Sequence, residues 1–146
     1  MSPRPPITTR HRPTYVASNA VMPSTPEGVS NFVQRLLSML GNYRFHQREV
    51  LAIQAAVEQA LKNAITHGNK LNSAKQVHVT FTMGPDEFSI RIEDEGEGFT
   101  RQSMSDCAGS QDATPRGSAG LLLMRKNMDA VRFNARGNAV TLVCRR

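Results

Sequence analysis

The sequence predicts an α+β two-layer sandwich, in which a mixed, mainly antiparallel sheet of about five strands carries three main helices on one face. Three observations predict it. Residues 27–40 and 47–67 place apolar side chains three and four apart, as core-facing helices do, and residues 121–128 repeat the pattern more briefly. Residues 77–83 and 88–92 alternate apolar with polar, as half-buried strands do. Between those two strands stands Gly84-Pro85-Asp86, a hairpin turn that makes them antiparallel neighbours.

In chain order, residues 1–14 hold four prolines, three arginines and little to bury, so a disordered basic arm is expected ahead of one domain over 15–146. Tyr15–Met22 can form a first strand, at an edge. Pro23–Pro26 is a turn, and Ser24 or Thr25 can cap the helix that carries Val29, Phe32, Val33, Leu36, Leu37 and Leu40. A second helix starts near Gln47, with Val50, Ile53, Val57, Leu61 and Ala64 as its buried stripe. At about 100° per residue, Ala52, Ala56, Gln59, Asn63 and His67 share a neighbouring edge whose small residues would admit a close approach. Glu58 points about 140° away from Asn63, where Lys62 at i+4 is its expected partner. Gly68 can end this helix as a C-terminal glycine, with Asn69 beyond it.

After the hairpin, residues 99–116 show no sustained periodicity and are bounded by glycines. A segment of this length without structure of its own is expected to be functional, here a lid. A third helix starts near Gly117–Gly120 and carries Leu121, Leu122, Met124 and Met128. Val131 and Phe133 form a strand, 134–138 a turn, and Val140, Leu142 and Cys144 the final strand.

Composition narrows the function classes. No apolar run reaches the length of a membrane span. The arginine-bearing, acid-free N-terminus has prolines that oppose a transit helix and no apolar signal core, so a cytoplasmic protein is expected. Two cysteines, Cys107 and Cys144, do not make a disulfide framework, and no metal-ligand spacing occurs. The net charge of +6 is spread and concentrated at the chain ends; with two Tyr and no Trp there is little for bases to stack on, which argues against nucleic acid as partner. Acidic proteins and nucleotide phosphates suit such a charge equally well. Cys107, Arg101 and Arg116 fall in the lid segment; nothing adjacent argues for a reactive thiol, and solvent-facing charge is the simplest role for the arginines.

Three short segments carry the chemistry: Asn63-Ala-Ile-Thr-His-Gly68, Asp94-Glu-Gly-Glu-Gly-Phe99, and Gly120-Leu-Leu-Leu-Met-Arg125 with Met128-Asp129. Together and in this order they resemble the GHKL (Bergerat-fold) ATP-binding domain, and most nearly its anti-sigma-factor and serine-protein-kinase branch. The resemblance runs from about Tyr15 to the C-terminus. It implies ATP or ADP with Mg2+ as cofactors. Asp94 would accept a hydrogen bond from the adenine amino group. Gly96 and Gly98, without Cβ atoms, would let backbone approach the purine. Asn63 would offer its amide oxygen to Mg2+, phosphates and water supplying the rest. Gly117, Gly120 and Leu121 would lie where the lid meets a helix N-terminus and backbone N–H groups face phosphate.

Two departures qualify the likeness. Ser118 stands where the third box has its first glycine, which weakens the phosphate contact expected there. More consequentially, the family's general base is a Glu four residues before the Asn, and that place is Gln59, which cannot take a proton. The resemblance implies an ATP-binding regulator that sequesters a sigma factor or another regulatory protein and phosphorylates a Ser of an anti-sigma antagonist. Gln59 leaves phosphoryl transfer open, with a nucleotide-dependent protein-binding switch as the alternative. Homodimers are common in that branch.

Overall fold

The computed structural model describes residues 16–43, 45–97 and 118–146. The expected arm, the lid, Gly98, Gly117, Arg101, Arg116 and Cys107 therefore lie outside the described residues. Five strands, β1 (Val16–Pro23), β2 (Gln76–Met83), β3 (Glu87–Glu93), β4 (Ala130–Phe133) and β5 (Ala139–Arg145), join three helices, α1 (Pro26–Leu40), α2 (Gln47–Asn63) and α3 (Ser118–Asn127). The sheet order is β1-β2-β3-β5-β4, with β1 at an edge as its place in the sequence suggested. All four pairings are antiparallel, so the sheet has no parallel pair among the described residues.

Alternation decides which sheet face is covered. Val79, Ile92 and Val140 stand abreast on β2, β3 and β5, as do Phe81, Ile90 and Leu142, then Met83, Phe88 and Cys144. These rows are buried and meet the apolar stripes of the helices, including Leu36, Leu40, Ile53, Val57, Leu61 and Met124. Removing each such side chain from water contributes about 1.5–3 kcal/mol. Phe32 of α1 sets its ring edge-on to Phe81 at 6.2 Å, fixing that helix on the sheet. His78, Thr80 and Thr82 point to the opposite, solvated face.

The helix ends follow local chemistry. Thr25 caps α1, its Oγ1 accepting from the Gly28 N–H at 3.0 Å, and Pro26 occupies the first turn. Glu49 reaches back to the His46 N–H at the start of α2. The other end of α2 differs from the sequence expectation. Residues Ala64–Gly68 form a widened π turn, closed by Asn69 N–H donating to the Ala64 carbonyl at 2.8 Å. The left-handed residues that finish the turn are Lys70 (φ 52°) and Leu71 (φ 59°), not Gly68. Gly68 is required for another reason, at the site. Glu58 also departs from expectation: it accepts from Gln54 Nε2 at 3.0 Å, one turn back, and makes no ion pair with Lys62.

Candidate functional site

Two knots of close contacts lie along the second half of α2, and both depend on missing Cβ atoms. In the first, α3 starts against α2 so closely that a Cβ on Gly120 would overlap the Gln59 side chain, 2.8 Å from its Cδ. The small residues on this edge of α2 permit that approach; Ala56 is fully buried. Gln59 Nε2 donates to Asn63 Oδ1 at 3.0 Å, one turn along. Sequence spacing predicted that these two share a face, and they do. Leu121 is partly buried against the core beside them.

The second knot joins the π turn to the exit of β3. A Cβ on Gly68 would fall inside the Asp94 carboxylate, and one on Gly96 would run into the Gly68 carbonyl. Gly96 N–H donates to Asp94 Oδ1 at 2.8 Å, a local turn that fixes the plane of the carboxylate. From the other side Asn138 brackets the same residue, its carbonyl accepting from Asp94 N–H at 2.9 Å and its Nδ2 donating to the Asp94 carbonyl at 3.1 Å. The carboxylate is partly exposed, held in place by backbone on both flanks. Asp94 and Gly96 are thus brought together with Gly68; Gln59 and Asn63 with Gly120. Gly98 and Gly117 fall outside the described residues.

Asn69 and Asn138 are residues that sequence reasoning missed; for Gly68, inside a segment it singled out, it missed the role. The sequence places Gly68 and Asn69 at the end of a helix, although a glycine followed by a polar residue just past an apolar stripe could have signalled a packed turn. Asn138 sits in a hairpin turn and carried no signal. His67 is partly buried in the π turn that follows α2.

The donor set bears on a divalent ion. Asn63 Oδ1 already accepts one hydrogen bond, which leaves a single further lone pair, and no group of three His, Cys, Asp or Glu side chains is gathered among the described residues. Such a set fits an ion that arrives bound to phosphates and takes one neutral oxygen from the protein. It does not fit a preformed all-protein cage. No helix among the described residues is long and apolar enough to cross a membrane.

Comparison with known proteins identifies the family and the fold. Residues 22–144 match the histidine kinase-like ATPase domain family. The chain is 25% identical over 119 residues to a serine-protein kinase RsbW of Oceanobacillus iheyensis, covering 77% of this chain and 75% of that one. It is 29% identical over 97 residues to an anti-sigma F factor of Clostridium perfringens, covering 65% and 69% respectively. Among solved structures, the RsbU and RsbW domains of Rv1364c from Mycobacterium tuberculosis superpose with a TM-score of 0.63 at 16% identity, over 89% of this chain and 32% of that longer one, a likeness of fold. With a match that spans all three helices and the sheet apart from most of β1 and the last residue of β5, this chain belongs to the histidine kinase-like ATPase domain family.

Proposed function

We propose that this chain is an ATP-binding regulatory protein that works by partner switching, holding a sigma factor or similar regulator and yielding it to an antagonist that bears a phosphorylatable Ser. The observation that carries the reading is the wedged carboxylate of Asp94, set by Gly68, Gly96 and Asn138 at the mouth of the α2–β3 junction. A carboxylate so held is a ready acceptor for an exocyclic amino group, and the family membership makes adenine the natural donor. ATP or ADP would lie between α2 and the chain that follows Gly96, with Asn63 offering one oxygen to a nucleotide-borne Mg2+. The kinase and anti-sigma names of the relatives support the class of partner.

A specific observation favours a second reading of the same site. The side chain facing Asn63 is an amide that donates to it, so no carboxylate is placed one turn before Asn63 to receive a proton. Nucleotide would then set partner affinity while phosphoryl transfer stays slow, since positioning and electrostatics alone still accelerate that chemistry. Calorimetric titration with Mg-ATP and Mg-ADP tests the common premise. Binding is expected, and Asp94→Asn should weaken it by about 10- to 100-fold, the scale of a charge-assisted hydrogen bond. Absence of affinity for any adenosine phosphate would overturn both readings.

A further inference from the structure

Asn69 is fully buried, yet it is polar and lies one residue beyond the π turn that follows α2. Its amide is engaged on both sides. Nδ2 donates to Ser24 Oγ at 2.7 Å and to the Gln76 carbonyl at 3.0 Å, and Oδ1 accepts from the Glu95 N–H at 2.7 Å. Gln76 N–H in turn donates to the Glu95 carboxylate, so Asn69, Gln76 and Glu95 close a ring of hydrogen bonds. Ser24, itself buried, passes the contact on by donating to the Lys75 carbonyl at 2.8 Å.

We propose that Asn69 is a positioning residue for base recognition: through the Glu95 N–H it sets where the neighbouring Asp94 carboxylate stands. The inference rests on the reading of Asp94 as the adenine acceptor. Asp94 is clamped by Asn138 on one flank and by the Asn69–Glu95 bond on the other. On that flank the carboxylate lies against Gly68 and Gly96, which have no side chains to pack on it. The same bond keeps Gly96 against the Gly68 carbonyl, an approach that leaves no room for a Cβ. Freed from Asn69, the Asp94–Gly96 turn would keep its internal hydrogen bond but lose its height relative to α2. A carboxylate displaced in this way still attracts water and cations, yet no longer matches an amino group against a carbonyl on the purine.

The test compares ATP with GTP on the full chain. Wild type should prefer ATP, Asn69→Ala should lose about tenfold of that preference, and Ser24→Ala should lower thermal stability while leaving the preference intact. Asn69→Ala retaining the wild-type preference would overturn the inference and leave Asp94 as the acceptor. A wild type without preference, unaltered by Asp94→Asn, would remove the reading of Asp94 and this inference with it. Should Asn69→Ala fail to fold, amide exchange in wild type decides. The Glu95 N–H should exchange slowly for a loop amide and more slowly still with ATP but not GTP; exchange at the rate of an open loop, or equal protection by both nucleotides, would overturn it.

Discussion

An amide at residue 59 governs how Asn63 is presented. Gln59 donates to Asn63 Oδ1, the atom with which a metal-bearing nucleotide would have to make its contact. A glutamate of the same size fits the same space beneath Gly120 but only accepts. Asn63 would then turn its Nδ2 toward the carboxylate and its oxygen away from it. Gln59→Glu is therefore expected to supply a base and release a ligand in a single change. Single-turnover ADP formation from Mg-ATP should rise by about 10²- to 10⁴-fold, the usual contribution of a positioned base, with ATP affinity nearly unchanged. An unaltered rate would show that the missing carboxylate is not what limits the chemistry. The effect lies in which atom donates.

At the scale of elements, three glycines hold together segments that are far apart in sequence, and what opposes each one ranks their substitutions. A Cβ on Gly96 meets backbone, the Gly68 carbonyl, which cannot move without unwinding the π turn. On Gly68 it meets the Asp94 carboxylate, which is short and already tethered by Gly96 N–H. On Gly120 it meets the outer atoms of Gln59, a flexible side chain. Thermal or urea denaturation should therefore show Gly96→Ala costing most, Gly68→Ala less, within the roughly 1–3 kcal/mol of overpacking, and Gly120→Ala least. Gly68→Ala should abolish ATP binding even where it still folds. This order also explains what the sequence could convey. Helical stripes and alternating strands read directly, because burial imposes a period on the residues that share a face. Gln59 and Asn63 read as a pair because one turn separates them. The π turn, the left-handed Lys70-Leu71 and the Asn69 ring did not: the turn rests on an irregular bond from the Asn69 N–H to the Ala64 carbonyl, the ring needs partners as distant as Glu95, 26 residues on, and neither leaves a local period. Gly68 misled for a physical reason: glycine serves equally for positive φ and for close approach, and only the partner reveals which.

For the molecule as a whole, α2 runs from one end of the sheet to the other. The π turn that follows its last residue meets Asp94 beyond β3 through Gly68, and Glu49 of its first turn lies near Cys144 of β5, which is paired with Phe88 at the far end of β3. That far end is closed by polar contacts around an apolar centre. Arg146 spans from the Pro85 carbonyl to Glu49 and lies over the Phe45 ring at 5.4 Å, while Arg145 N–H donates to Asp129 at 2.6 Å. Cys144 is buried between them and unpaired with any disulfide partner. Burial first, then the negative charges of Asp129 and Glu49, push its thiol up from 9.0 to about 11. The folded chain thus holds this proton more tightly than the unfolded chain does. Stability from this source is complete below pH 9, falls as pH rises and is gone above 11. Two pKa units correspond to about 3 kcal/mol, enough to matter to a marginally stable domain. In a Cys107→Ser background, urea midpoints measured near pH 8 and near pH 11 should diverge by more in the chain with Cys144 than in Cys144→Val, which fills similar space without a titrating group. Lysines and tyrosines contribute equally to both chains, so the difference between the two slopes isolates the thiol. Equal slopes would mean that the far end of the sheet opens to water before the thiol ionises.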